Sequence, residues 1–186
     1  MRDALDTLQT PRLALRRFRD EPADFEHYAG LYADPDVARH VGGVQSREQA
    51  AQTYDERILR YYDANPGLGI WATFEREGGA FVGLHLLNHI RGETLLQVGY
   101  SLRRAAWGRG YATEMARAVM RYGFRTLGLP IVHAIVNLDN GASMKVLHKL
   151  GMRREGERAF AAYGPRPLAW FECLPNEFRD GDGDSD

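Results

Sequence analysis

The stretch Trp107-Gly108-Arg109-Gly110-Tyr111-Ala112-Thr113-Glu114 constrains this chain more than any other. Ahead of it, residues 94–102 read as a strand between turn signals. Behind it, residues 111–127 place Ala112, Met115, Ala116, Val119, Met120, Gly123, Phe124 and Leu127 on one helical face, the period of a helix packed on a core. Gly128 and Pro130 stop that helix. Glycines between a strand and a helix let backbone N–H groups approach an anion closely. The helix start adds N–H donors and a partial positive charge. Arg103, Arg104 and Arg109 add formal charge nearby. A pyrophosphate fits this environment; a tight turn that needs glycine only for its geometry explains the loop equally well. The Gly-Lys-Ser/Thr ending of a P-loop is missing. So are the third small residue and the acidic residue about 20 positions on that mark a dinucleotide fingerprint.

The rest of the chain frames that loop. Residues 10–19 alternate around Leu13, Leu15 and Phe18 as a first strand, and residues 22–33 read as a short helix ending near Asp34-Pro35. Ser46 with Gln49 three residues on is a capping-box signature, so a second helix runs from there to about Ala64, before Asn65-Pro66-Gly67. Strands are expected over 69–75, 80–88 and 94–102, with turns at Glu77-Gly78-Gly79 and Arg91-Gly92-Glu93. After the long helix come a buried strand over 131–137, a short helix over 141–150, and a final strand pair over 159–163 and 168–174. The order strand, helix, strand around the loop implies one parallel pair with a crossover helix. The fold class is α+β with a mixed sheet.

Length and composition exclude several functions. At 186 residues, one domain spanning residues 1–179 is expected, followed by a disordered acidic tail, 180–186, made of Gly, Asp and Ser with one Arg-free charge sign. A formal net charge of −1 gives no global field for nucleic acid. The single cysteine, Cys173, allows no internal disulfide, so a reducing cytoplasm is the expected compartment. No signal-peptide-like or membrane-spanning apolar run is present in the sequence.

Four segments, in order, resemble the GNAT acetyltransferases, and within them the ribosomal-protein N-acetyltransferase (RimJ/RimL-like) type. Thr10-Pro11-Arg12-Leu13-Ala14-Leu15-Arg16 is similar to the family's opening Thr-x-Arg-Leu-x-Leu-Arg. Val98-Gly99-Tyr100 is similar to its fourth-strand Ile-Gly-Tyr, and Trp107 to Glu114 resembles its acetyl-CoA loop. Asn140-Gly141-Ala142-Ser143 with Val146-Leu147-His148-Lys149-Leu150-Gly151-Met152 is similar to its Asn-x-x-Ser…Leu-x-Lys-Leu-Gly-Phe block. The resemblance implies a mostly antiparallel sheet flanked by helices and splayed between strands four and five, with acetyl-CoA as cosubstrate in the gap. It implies backbone amides of Trp107, Gly108, Arg109, Gly110, Tyr111, Ala112 and Thr113 at the pyrophosphate. The strand carrying Val98, Tyr100 and Leu102 would lie along the pantetheine, and Asn140 would hold the second half of the cofactor site. The acceptor amine would enter near residues 28–44 and 159–167.

Amine acetylation needs a free amine, and an ammonium with a pKa of about 8 to 10 must first lose a proton. A developing oxyanion needs a donor, which a strand N–H supplies. The family's helical Tyr acid is replaced here by Leu147. Ser143 stands where the ribosomal-protein branch carries Ser; it is the candidate for hydrogen-bonding the CoA sulfur, or a simple helix cap. Gln97 stands where many relatives carry a Glu base; it can orient a water or the amine but cannot take a proton. His85 and His133 are further base candidates, although a lone strand histidine is more often a satisfied core or surface residue. Glu114 complements the helix dipole; Glu155 and Glu172 are unplaced. Lys145 and Lys149 could reach the CoA 3′-phosphate or form a solvated face. No metal site is expected, since His85 and His89 have no third ligand. The expected activity is direct acetyl transfer to a primary amine, a protein N-terminus or a small molecule, by a monomer or homodimer. A non-catalytic acyl-CoA-binding module and a nucleotide-binding regulator are the alternatives.

Overall fold

The computed structural model describes residues 8–181. Of the expected tail, residues 182–186 lie outside the described residues; Asp180 is held by ion pairs from Arg121 and Arg125.

Eight strands form one sheet: β1 (Leu8–Gln9), β2 (Leu13–Arg17), β3 (Gly69–Glu75), β4 (Phe81–His89), β5 (Leu96–Leu102), β6 (Val132–Val136), β7 (Arg153–Arg158) and β8 (Leu168–Cys173). Their spatial order is β1-β2-β3-β4-β5-β6-β8-β7. Every neighbouring pair is antiparallel except β5 and β6, which run parallel. The connection between these two carries the long helix α5 (Tyr111–Arg125); before it come α1 (Pro22–Ala33), α2 (Pro35–Ala38), α3 (Arg47–Tyr54) and α4 (Arg60–Ala64), and after β6 comes α6 (Gly141–Lys149). This is the mixed, mostly antiparallel α+β sheet expected.

The parallel pair is the feature that makes a site. β4 and β5 share a ladder from Gly83↔Leu102 to His89↔Leu96, whereas β5 and β6 share one register point, Gln97↔His133. Both strands then run on in the same direction without pairing, so they part toward their C-terminal ends. The expected splay between strands four and five is this opening; the two-residue β1 shifts the count by one.

The apolar stripe of α5 explains why that helix lies where it does. Met115, Ala116, Val119 and Met120 are buried to within 1% of full burial, and each large side chain so buried contributes about 1.5–3 kcal/mol. Gly123 lets the helix close on the sheet, since a Cβ there would sit 3.2 Å from Leu87 Cδ2. Leu87 pairs with Val98, which puts Val98, Tyr100 and Leu102 on the α5 side of β5 and Gln97, Gly99 and Ser101 on the other.

The Ser46–Gln49 capping box forms as read: the Ser46 N–H donates to Gln49 Oε1 at 2.8 Å and the Gln49 N–H to Ser46 Oγ at 3.2 Å. The helix it starts is not uniform, because a π-helical segment, Asp55–Leu59, separates α3 from α4. The expected strand over residues 159–163 is corrected. Ala161–Tyr163 is a single 3-10 turn, and the partner of β8 is β7, Arg153–Arg158. Its sequence, Arg-Arg-Glu-Gly-Glu-Arg, carries no apolar alternation because it is an edge strand, exposed apart from a half-buried Gly156, and a charged edge is a common protection against further pairing. Backbone pairing with β8 fixes it, and pairing of that kind leaves no mark in the side-chain pattern.

Candidate active site

The opening between β5 and β6 holds a cavity of about 530 Å3. Its floor is the C-terminal end of β5, Tyr100, Ser101 and Leu102. One wall is the glycine loop and the first turn of α5, from Trp107, Gly108 and Gly110 through Tyr111, Ala112 and Thr113. The opposite wall is the first turn of α6, with Asn140, Ser143 and Lys145, and the rim is the segment around Arg39, His40 and Val41. Ligand sites of parallel strand pairs lie outside their C-terminal ends for the reason seen here: the strands stop, the helix starts, and the gap between is lined by backbone donors.

The α5 wall is built for an anion. Gly108 and Gly110 adopt φ of 72° and 78°, the left-handed region that glycine enters without strain. Gly110 is the helix N-cap and has no side chain to cap the N–H groups of the first turn. By helix geometry those of Tyr111, Ala112 and Thr113 have no acceptor within the helix. Their orphaned donors, in a cavity of this size, fit the pyrophosphate of a coenzyme A thioester.

The arginines that the sequence placed near the phosphates point elsewhere. Arg104 pairs with Asp34 at 2.8 Å and Asp36 at 3.0 Å. Arg109 pairs with Glu75 at 2.5 Å and lies over the Tyr111 ring. Arg103 reaches the Phe81 carbonyl at 3.4 Å. Arg103, Arg104 and Arg109 are not among the cavity-lining residues, whereas Arg39, Lys145 and Lys149 are. Val98 is core, 2% exposed, and also lies outside the cavity lining.

Asn140 and Ser143 meet at the start of α6. The Asn140 side chain accepts from the Ser143 N–H at 3.1 Å, so Asn140 is the helix cap and the Ser143 hydroxyl is not. That hydroxyl lies 3.0 Å from the Tyr100 hydroxyl, which also donates to the Ser143 carbonyl at 3.1 Å. Burial raises the Tyr100 pKa far above its ordinary range, with Ser143 opposing only in part, so Tyr100 stays protonated and acts as a donor. Leu147 is core, 1% exposed.

Gln97 sits at the apex of the opening, in register with His133, and its amide donates to Asn88 at 3.3 Å. His133 stacks on Trp170 at 4.5 Å, with Nδ1 3.6 Å from Glu172; burial lowers its pKa and Glu172 offsets this in part. His85 is fully buried beside Thr73, 2.8 Å from Nδ1 to Oγ1, and burial pushes its pKa down to about 3. His85 is therefore neutral and outside the cavity lining. His89 Nδ1 faces the Tyr61 hydroxyl at 2.6 Å. Among the described residues, no three His, Cys, Asp or Glu side chains gather as a metal site requires. Tyr28, Tyr32, Tyr62 and Trp71 are buried in the core and Tyr163 is exposed.

Nothing periodic in the sequence marks the rim segment. It is held from afar at one point, where the Asn137 side chain donates to the His40 carbonyl at 2.7 Å, and locally where Arg39 Nε donates to His40 Nε2 at 2.9 Å. The signal that existed was Val41-Gly42-Gly43-Val44, where two valines 43% and 56% exposed flank glycines of positive φ.

The model of the acetyltransferase (GNAT) domain matches residues 12–153. This chain belongs to the GNAT acetyltransferases. It is similar to the uncharacterized N-acetyltransferase YoaA of Bacillus subtilis, 33% identical over 155 residues that cover 80% of this chain and 84% of that protein. The FsC-acetyl coenzyme A-N(2)-transacetylase of Aspergillus fumigatus is 30% identical over 159 residues, 80% of this chain and 66% of that protein. The crystal structure of an acetyltransferase from Agrobacterium tumefaciens matches with a TM-score of 0.75 at 28% identity, covering 89% of this chain and 92% of that one. As a GNAT enzyme the chain is an acyltransferase that uses acetyl-CoA as cosubstrate and an amine as acceptor. Among the described residues no helix is long and apolar enough to cross a membrane.

Proposed function

We propose that this GNAT enzyme transfers the acetyl group directly from acetyl-CoA to a primary amine, on a protein N-terminus or a small molecule, in a ternary complex. The observation that carries the proposal is the cavity at the parting of β5 and β6, walled by the uncapped first turn of α5. Acetyl-CoA, when bound there, supplies an acetyl group activated as a thioester.

The protein's own residues do the rest. The N–H groups of Gly108, Gly110, Tyr111, Ala112 and Thr113 hold the pyrophosphate, with Trp107 at the outer edge. The β5 backbone, which has no partner strand beyond Gln97 on the β6 side, offers its N–H groups to the pantetheine arm and to the carbonyl that must gain charge. Ser143 presents its hydroxyl to the sulfur, oriented by Tyr100. Gln97, at the apex, holds the acceptor amine or a water through its amide. The acceptor enters past the Arg39–Val41 rim. Cys173 is buried, with its thiol pushed up to about 12 by burial, and is not a cavity-lining residue, which supports direct transfer over a cysteine-borne acetyl group.

The test is thiol release from acetyl-CoA with a panel of amines: a ribosomal-protein N-terminal peptide, spermidine, an aminoglycoside and free amino acids. Amine-dependent release, with initial-velocity lines that intersect when both substrates are varied, is the expected result. Parallel lines would point to a covalent acetyl-enzyme, and acetyl-CoA binding without release for any amine would favour a binding module.

A further inference from the structure

We propose that Arg12, Thr10 and Glu114 form a clamp that sets the direction of the anion-binding amides, making Arg12 a positioning residue for the cosubstrate. The proposal rests on the reading that the glycine loop and first turn of α5 hold the pyrophosphate.

Three hydrogen bonds converge on Glu114. Its carboxylate accepts from the Thr10 hydroxyl at 2.6 Å, from the Arg12 N–H at 3.0 Å, and from Arg12 Nε at 2.6 Å. Arg12 Nη2 also lies 2.6 Å from Glu114 Oε2. Burial alone would raise the carboxyl, and the bonds from Thr10 and Arg12 outweigh it, so Glu114 stays ionised. With one guanidinium edge fixed there, Arg12 Nη1 donates to the Arg109 carbonyl at 2.9 Å. The guanidinium lies over the Tyr111 ring, 4.7 Å from its centroid, while Arg109 lies 4.5 Å from that centroid and is tied to Glu75, which also accepts from the Tyr111 hydroxyl at 3.0 Å.

The consequence follows from peptide geometry. No described peptide is cis, and in a trans peptide the C=O and the next N–H point in opposite directions. Arg12 grips the carbonyl of the 109–110 peptide, so the Gly110 N–H faces away from Arg12. Gly110 lines the cavity and Arg12 does not. The clamp therefore turns that donor toward the cavity and keeps the competing carbonyl out of it. The clamp also crowds Gly110, where φ is 78° and a Cβ would stand 3.3 Å from Arg12 Nη2. Arg12 thus works through hydrogen-bond direction, and a lysine, with no planar fork, cannot bridge Glu114 and the Arg109 carbonyl in the same way.

Arg12 is half exposed, and exposed pairs contribute little to global stability, so its substitution should leave the fold intact. The test pairs calorimetric binding of CoA with kinetics on S-acetylpantetheine, which lacks the pyrophosphate. For Arg12→Gln and Arg12→Lys, CoA affinity should fall about tenfold, the scale of a lost charge-assisted hydrogen bond, with at most about a twofold change in kcat/KM for S-acetylpantetheine. Glu114→Gln, which keeps a hydrogen-bonding side chain in place, should show the same selectivity with a smaller loss. Full affinity in Arg12→Lys would overturn the proposal by showing that only charge matters. Equal losses on both compounds, or none, would overturn it too. If the wild-type enzyme itself binds CoA no better than pantetheine, the pyrophosphate reading fails and the clamp with it. Wild-type discrimination that survives unchanged in Arg12→Gln defeats the clamp alone.

Discussion

Tyr100 and Ser143 meet across the cavity, one from the floor strand and one from the α6 wall, with their hydroxyls 3.0 Å apart. Because Asn140 supplies the cap of α6, the Ser143 hydroxyl is left for another use. Ser143→Ala should therefore lower kcat about a hundredfold, the lower end of the range for a lost proton donor, with little change in melting temperature. Asn140→Ala should instead cost about 1 kcal/mol of stability through the lost cap. Steady-state kinetics and thermal unfolding of the two variants separate the roles; an unchanged kcat in Ser143→Ala would reduce its hydroxyl to packing. At this scale the sequence was readable where a residue acts through its neighbours along the chain, as in the Ser46–Gln49 box. Nothing in it marks the partners of the loop arginines: Arg104 pairs with Asp34 and Asp36, and Arg109 with Glu75, each more than 30 positions away.

Among the elements, β4 and β5 show how a close approach fixes a glycine. Gly83 has φ of 150°, and a Cβ there would lie 2.2 Å from the Ser101 carbonyl oxygen and 2.7 Å from Leu102 Cα, both backbone atoms that cannot yield. Gly83 thus allows β4 to lie against the end of β5 that floors the cavity. Gly83→Ala should cost about 3 kcal/mol or more, or prevent folding. Gly30, inside α1 with open space where a Cβ would go, provides the contrast: Gly30→Ala should stabilise by about 0.4–1 kcal/mol. Urea unfolding of both variants checks the pair, and a mild Gly83→Ala would mean that the two strands can separate there at little cost. Strands bounded by glycine turns were legible, β3 to the residue and β4 and β5 to within two residues at their ends. The charged edge strand β7 was not, because its place depends on the backbone of β8. The π-helical segment Asp55–Leu59 interrupts a pattern that reads as one helix.

For the molecule as a whole, the order strand, loop, helix, strand was enough to expect one parallel pair within an otherwise antiparallel sheet. How far that pair would zip was not legible; the single register point, Gln97↔His133, belongs to the packed sheet and has no local pattern that marks it. The rim around His40, tied to Asn137 at the end of β6, is likewise a tertiary construction. The cosubstrate site proposed above lies where these features meet. Hydrogen–deuterium exchange of the full chain, with and without saturating CoA, tests that location most directly. Slowed exchange at the amides of residues 108–113 and along the end of β5 at residues 100–102 is the expected result. CoA binding that leaves these amides unchanged, or that protects a different surface, would contradict the account.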